Sequence, residues 1–306
     1  MRRLTLRQLR IFEAVARHLS FSRAAAELHL SQPAVSIQVK GIEAILGLPL
    51  TEQLGRKVFL TDAGRDVLHA ARAITARLDD LQENLAQLRG LEGGRLRIAV
   101  TSTANHIATD LLARFRQQLP SVALHLDVSN RAAVLARLAD NQVDLAIMGQ
   151  VPEGQDLLAT RFMDNPLGVI AAPDHPLARR RRIPLSELAH ESFLMREPES
   201  GTRAAIERFF ADHDLAPQTS MEMNSNGAIR RAASVGLGLG ILPLQTLELE
   251  LQLKRLVVLD VAGFPLMRHW YVVHRTDKRL SPTALAFHDF VLKAPGAPDP
   301  AASNAA

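Results

Sequence analysis

Residues 21–60, FSRAAAELHLSQPAVSIQVKGIEAILGLPLTEQLGRKVFL, constrain the fold more than any other stretch of the chain. Ser22 can cap a short helix whose Ala24, Ala25 and Ala26 allow close packing, and His29-Leu30 then turns the chain into Ser31. Ser31 caps a second helix with Pro33 in its first turn, where a missing backbone N–H costs nothing. Along that helix Val35, Val39, Ile42 and Leu46 recur at helical spacing and are expected to face inward. The opposite face carries Gln32, Ser36 and Lys40, donors and acceptors suited to base edges and phosphates. Residues 48–50 and 57–60 read as two short strands around Gly55-Arg56, a wing whose basic tip is Arg56 and Lys57. The pattern is a winged helix-turn-helix. Its expected partner is a double-stranded DNA operator, touched by Ser22, Arg23, Ser31, Gln32, Pro33, Ser36, Lys40, Arg56 and Lys57.

Charge is distributed to match. Residues 1–90 hold 13 Lys/Arg against 9 Asp/Glu, and residues 91–306 hold 23 of each, so the net +4 resides in the N-terminal part. Arg2, Arg3, Arg7 and Arg10 lie in the same part and can neutralise phosphates; the alternative is a merely solvated basic face.

Thr61 is positioned to cap a long helix reaching to about residue 89. Along it Val67, Ala71, Ile74, Leu78, Leu81, Leu85 and Leu88 alternate by four and three residues, the spacing of a coiled-coil seam. Such a seam on an otherwise polar helix is expected to pair with its copy in a homodimer; the alternative is that it packs on its own domain. Residues 90–94, GLEGG, break the helix and read as a hinge.

Beyond the hinge the pattern becomes strand, helix, strand, helix, strand: 95–101, 106–118, 122–128, 131–139 and 143–148. This implies a parallel sheet with helices on both faces. A second unit follows, with strands near 168–172, 193–195, 220–223 and 239–242, before strand 267–274 and helix 281–292 return to the first. Open α/β units bind ligands at the carboxyl ends of their strands. Thr101, Ser102 and Thr103 end the first strand, and Ser200, Gly201, Thr202 and Arg203 open a helix of the second unit. Facing helix N-termini favour an anion, to which Arg203 adds a full charge. Asn130, Gly149, Gln150, Asn226 and Gly227, at strand ends or turns, and His106 are further lining candidates; the plainer reading makes Ser102 and Thr202 only helix caps.

The motifs LRQLRIFEAVA, SFSRAAAELHLSQPAVSIQVKGIE and LTDAGRDVL resemble the LysR-type family of bacterial transcriptional regulators, and the likeness runs from Leu6 to about Val291. STANHIATDLLARF, NRAAVLARL, DLAIMGQVPEG and REPESGTRAAIERFF look most like the regulators of Calvin-cycle carbon-fixation operons within it. The resemblance implies an all-α N-terminal part followed by α/β. In residues these are a winged helix-turn-helix at 1–60, a dimerisation helix at 61–92 and an effector domain at 93–294 similar to periplasmic solute-binding proteins. Subdomain I of that domain would hold 93–161 and 267–294, and subdomain II 162–266; residues 295–306, which have no apolar pattern, are expected to be a disordered tail. It also implies a small anionic effector, such as a sugar phosphate, phosphoenolpyruvate or a reduced nicotinamide nucleotide. A homotetramer, and contact with RNA polymerase by an activator, follow from the same likeness. Ile37, Thr51 and Gln53 depart from the family pattern, which often has Arg at 37 and 53 and an aromatic at 51, so family contacts there do not carry over.

Catalytic and cofactor signals are absent. The eleven histidines show no metal-ligand spacing, there are no cysteines, and the glycines of 236–240 lie in an order opposite to a dinucleotide fingerprint. No enzyme, metal or cofactor is expected. The arginines of 179–182 sit between prolines and read as a solvated loop. No apolar run approaches the about 20 residues needed to span a bilayer and residues 1–20 are amphipathic and basic, so the expected location is the cytoplasm, without membrane contact. The rival reading, a solute-binding protein with an N-terminal interaction module, would need a signal peptide.

Overall fold

The computed structural model describes residues 4–55, 57–88, 93–152, 154 and 156–294, and of residues 80 and 82–88 only the helical backbone. The chain divides into an N-terminal unit ending near residue 91 and a larger unit after it.

In the N-terminal unit α1 (Leu6–His18) opens on a capping box in which Thr5 Oγ1 accepts from the Gln8 N–H and Gln8 Oε1 accepts from the Thr5 N–H. Helix α2 (Phe21–Glu27) is capped by Ser20, whose extended backbone lets Oγ accept from the Arg23 N–H. Ser22, expected as the cap, is already helical and lies inside the first turn. Helix α3 (Gln32–Leu46) starts on Ser31 with Pro33 in its first turn and stops at Gly47, whose φ of 74° only glycine adopts without strain. Val35, Val39 and Ile42 are buried with Phe12, Val15 and Ala24. Leu46, expected in that core, is exposed because the last turn of α3 runs past it.

The wing is an antiparallel pair of β1 (Thr51–Leu54) and β2 (Lys57–Leu60). It starts later than residues 48–50 suggested, because Leu50 is taken into the core while its N–H donates to Glu43 Oε1 at 2.8 Å. Thr61 Oγ1 accepts from the Gly64 N–H at 3.0 Å and so caps α4 (Asp62–Leu88). Any Cβ at Gly64 would lie 2.0 Å from the Leu50 carbonyl oxygen, so this helix start requires glycine. Along α4, Val67 packs on the core and Ala71 is buried, Leu78 is half-buried, and Ile74 and Leu81 are exposed. The side chains of Leu85 and Leu88 lie outside the described residues, as do Arg56, residues 89–92 of the expected hinge, and the tail 295–306.

The second unit begins with β3 (Arg95–Thr101), α5 (Asn105–Gln118), β4 (Ala123–Ser129), α6 (Arg131–Ala139), β5 (Leu145–Met148) and β6 (Leu157–Asp164). It continues through β7 (Leu167–Ala171), α7 (Leu185–Leu188), β8 (Ser192–Arg196), α8 (Gly201–Ala211), β9 (Gln218–Met223) and α9 (Asn226–Ser234). Strand β10 (Leu239–Pro243), α10 (Glu248–Gln252), β11 (Val257–Val258), β12 (His269–Arg275) and α11 (Pro282–Leu292) complete it. One sheet has the order β4-β3-β5-β12-β6 and the other β11-β7-β10-β8-β9.

Neither sheet is wholly parallel, against expectation: β12 runs antiparallel to β5 and β6, and β7 antiparallel to β10 and β11. The reason is that the chain crosses between lobes twice in opposite directions. Strand β6, which sequence periodicity did not reveal, stays in the first sheet to Asp164, and the chain then passes into β7. The two crossing segments bond to each other, Asn165 N–H to the Arg268 carbonyl at 2.7 Å and Leu266 N–H to the Leu167 carbonyl at 2.9 Å. Trp270, Phe115 and Phe287 fill the first lobe, and Phe193, Phe210 and Ile241 the second.

Candidate functional site

Two regions of the chain gather functional side chains. In the N-terminal unit Gln32, Pro33 and Lys40 are exposed on α3, Ser22 and Arg23 on α2, and Lys57 on the wing. Ser36 is half-buried, and Ser31 spends its hydroxyl on the Ala34 N–H at 3.3 Å. Arg23, Lys40 and Lys57 have no carboxylate partner among the described residues, whereas Arg17 is held by Glu13 at 3.2 Å and Glu27 at 2.7 Å. Unpaired cations beside an exposed polar helix face keep their full charge for phosphate.

The second region is a cleft between the lobes, where the carboxyl ends of β3 and β8 meet. Thr101, Ser102 and Thr103 leave β3 through a single 3-10 turn into α5, and the Thr101 and Thr103 hydroxyls lie 3.2 Å apart. From the other lobe Ser200 caps α8, its Oγ accepting from the Thr202 N–H at 3.2 Å. Thr202 and Gly201 therefore belong to the first turn of α8, and the cap is Ser200 rather than Thr202; Ser102 makes no cap hydrogen bond at all. Asn130 and Gly149 join the lining as expected, with Gln150 beside them.

Arg203 does not line the cleft. Past the first two residues of α8 the helix turns it aside, and it donates to Glu207 at 2.7 Å, Glu222 at 2.7 Å and the Arg196 carbonyl at 2.9 Å. His106 is also outside the lining; burial lowers its pKa and keeps the ring neutral. Asn226 stands behind the lining, with its Oδ1 accepting from Arg196 at 2.8 Å.

The cationic lining consists instead of Arg131, Arg196 and Arg268. Arg196, only 3% exposed at the end of β8, is held bidentately by Glu197 at 2.6 and 2.7 Å, and its Nη2 reaches across to Ser102 Oγ at 3.3 Å. Arg268, in the returning crossover, donates through Nη1 to the Gly201 carbonyl at 3.0 Å and through Nη2 to the Gly149 carbonyl at 2.8 Å. Both guanidinium groups thus tie one lobe to the other. Among the described residues no carboxylate lies against Arg268, and burial, with the like charges of Arg131 and Arg208 adding, pulls its pKa down to about 10. It remains a cation at neutral pH.

Residues lining the same cleft carry buried polar atoms without partners: Gln150 Oε1, Asn165 Oδ1, Trp270 Nε1 and Arg131 Nε. Native interiors rarely leave such groups unsatisfied, so this cluster has donors and acceptors to offer a ligand. The cleft cavity is about 30 Å³, and a wider one of about 350 Å³ adjoins it past Gly149, Gln150 and Arg268, lined also by Arg208, His269 and Tyr271. Sequence reasoning missed Arg131, Arg196, Arg268, Asn165 and Trp270. Arg196 carried a signal, as an arginine at the carboxyl end of a buried strand; Arg268 carried none, because only the crossover brings it to the cleft.

Among the described residues no cluster of three or more metal-ligating side chains occurs, and no helix is long and apolar enough to cross a membrane. Residues 6–65 match the bacterial regulatory helix-turn-helix protein, lysR family, and residues 89–295 match the LysR substrate binding domain. The RuBisCO operon transcriptional regulator of Allochromatium vinosum is 53% identical over 289 residues, covering 94% of this chain and 96% of that one. The HTH-type transcriptional activator CmpR of Synechocystis is 45% identical over 291 residues, 95% and 96% of the two chains. Among solved structures the regulatory domain of Synechocystis CcmR, in complex with 2-PG, superposes with a TM-score of 0.62 at 40% identity, covering 65% of this chain and 96% of that one. With both of its units matched, the chain belongs to the LysR family of DNA-binding transcriptional regulators and is related to the regulators of carbon-fixation operons.

Proposed function

We propose that this regulator controls carbon-fixation genes in response to a small anionic metabolite held in the interlobe cleft. The observation that carries the reading is Arg268, a half-buried guanidinium with backbone carbonyls but, among the described residues, no carboxylate against it, lining the same cleft as unpartnered polar atoms. Partial desolvation of a cation without a counter-charge is costly, and an anionic ligand supplies one. Ser102, Thr202, Arg131 and Asn130 offer it hydroxyl, guanidinium and amide groups from both lobes. The CcmR domain complexed with 2-PG supports the choice of a small ligand, and the RuBisCO operon regulator supports the choice of target genes.

On the DNA side, Gln32, Ser36 and Lys40 face base edges while Arg23, Lys57 and Arg56 meet phosphates. The exposed Ile74 and Leu81 support pairing of α4 with a second copy, and the resulting dimer is the unit that reads two half-sites. The relative named as an activator supports a role in recruiting RNA polymerase. Ligand binding biases how the lobes close, and it shifts that equilibrium only by its differential affinity for the two arrangements. The effector therefore changes DNA bending and footprint length more than raw affinity.

The test is a melting-temperature screen of 2-phosphoglycolate, phosphoenolpyruvate, sugar phosphates and reduced nicotinamide nucleotides. A ligand at 100 times its dissociation constant adds about 2.7 kcal/mol, a rise of roughly 5–10 °C for a domain of this size. Wild-type protein that shifts with one of these, and Ser102→Ala/Thr202→Ala protein that does not, is the expected result. Equal shifts in both put the ligand elsewhere.

A further inference from the structure

Helix α3 turns one row of side chains fully outward: Pro33, Ile37, Lys40 and Ala44, spaced by four, three and four residues, are all exposed. Gln32 and Ser36 lie to one side of that row, and Ser36 is half-buried. The middle of the outward face is thus Ile37, with 66% of its surface exposed. A lone exposed isoleucine on an arbitrary surface would mean nothing. On this helix its position sets it apart, because between Gln32, Ser36 and Lys40 the exposed face carries a rigid, β-branched apolar side chain that contributes nothing to the core beneath. Val35 and Val39, on the other side of the same helix, do that work with 0% and 1% exposure.

The major groove offers an apolar side chain few partners. Base edges there present N7, O6, O4 and amino groups, and the C5-methyl group of thymine is the apolar one. We propose that Ile37 is a specificity-determining residue that selects thymine by packing against its methyl group. The inference rests on the reading that α3 enters the major groove. Lys40, one turn further along, and Gln32 read adjacent base edges, so the apolar contact is flanked by polar ones that fix its register.

The experiment uses the full-length protein and a duplex that it selects itself from a random pool. Each thymine is replaced in turn by deoxyuridine, which removes the methyl group and leaves every hydrogen-bonding atom in place. For wild-type protein, affinity falls about fourfold at one thymine of each half-site, the worth of one buried methyl-sized group, and is unchanged at the others. Ile37→Ala protein loses the contact in both half-sites, binds the thymine duplex about 16-fold more weakly and no longer distinguishes uracil at that position, while the remaining sequence preferences persist. Ile37 is exposed, so the substitution leaves the core intact. Wild-type indifference to deoxyuridine at every position, a selected site without thymine, or an Ile37→Ala variant that keeps the same loss at the same position each overturns the proposal. Failure of the underlying reading looks different: Gln32→Ala and Lys40→Ala variants would bind the selected duplex as tightly as wild type.

Discussion

The two surfaces proposed to meet anions are built on opposite principles. On the proposed DNA face Arg23, Lys40 and Lys57 stand in solvent without carboxylate partners among the described residues. In the cleft Arg196 is buried, Arg268 half-buried, and both are already hydrogen-bonded, Arg196 to Glu197, Asn226 and Ser102, and Arg268 to two carbonyls. Exposed cations retain their hydration and act on a polyanion through counterion release, so their effect is collective and salt-dependent. Buried guanidinium groups were desolvated when the protein folded, and their geometry is fixed before a ligand arrives, so each has a large and directional effect on a small one. Arg203 sharpens the point: a few residues from Arg196, it is neutralised by Glu207 and Glu222 and serves the fold instead.

The largest effect expected is on the surface that works only in pairs. Glu at both Ile74 and Leu81 places unpaired charges in the seam of the proposed dimer, and operator affinity then falls by about 10²–10⁴ as the second half-site is lost. Sedimentation that shows an unchanged oligomer rejects the seam. Next in size is the cleft. Arg268→Met removes charge-assisted hydrogen bonds with a typical value of about 1.5–3 kcal/mol, so the affinity of whichever metabolite raises the melting temperature should drop about 10- to 150-fold in calorimetry. Arg203→Met should leave it unchanged. Comparable losses in the two variants would erase the contrast between buried and neutralised arginines.

How each surface could be read from sequence follows from the same contrast. The helix-turn-helix is local: caps at Ser31 and Thr61, Pro33 in the first turn and the Val35, Val39, Ile42 spacing all act within a few residues. Local reading failed there at Ser22, where the adjacent Ser20 took the cap, and at the start of β1, where tertiary contacts decided: Leu50 became core because Glu43 and Gly64 receive it. The cleft is non-local. Thr101 to Thr103 and Ser200 to Thr202 were legible because strand ends and helix starts have signatures, and Arg268 was not, because its carbonyl partners Gly149 and Gly201 are distant in sequence. The antiparallel β6–β12 pair was hidden for the same reason.

Within the DNA face the comparison divides base readers from phosphate anchors. Gln32→Ala should cost about 1–3 kcal/mol on the selected site and almost nothing on random DNA. Lys57→Ala should weaken both alike and reduce the slope of log affinity against log salt by about one unit. Gel retardation at several salt concentrations separates the two. Equal losses on both DNAs for Gln32→Ala would make it another phosphate contact.

The smallest effect expected belongs to the cation in the N-terminal unit that the fold has already claimed. Arg17 donates to both Glu27 oxygens, at 2.9 and 2.7 Å, and to Glu13, and His18 Nε2 lies 2.5 Å from the same Glu27 carboxylate. Those hydrogen bonds, Arg17 first and His18 second, lower the Glu27 pKa from 4.5 to about 2. Because the folded value lies below the unfolded one, the contribution is present above pH 4.5 and is lost as pH falls toward 2. The carboxylate is partly exposed and solvent screens the pair, so its worth is of the order of exposed ion pairs, about 0.2–1 kcal/mol. Arg17→Ala should therefore lower the melting temperature of the N-terminal unit slightly at pH 7, flatten the part of its acid dependence due to Glu27, and leave the salt slope of DNA binding where it was. A salt slope reduced by a full unit would show that Arg17 leaves its carboxylates for phosphate, and that pairing in the structure does not separate structural cations from DNA-binding ones.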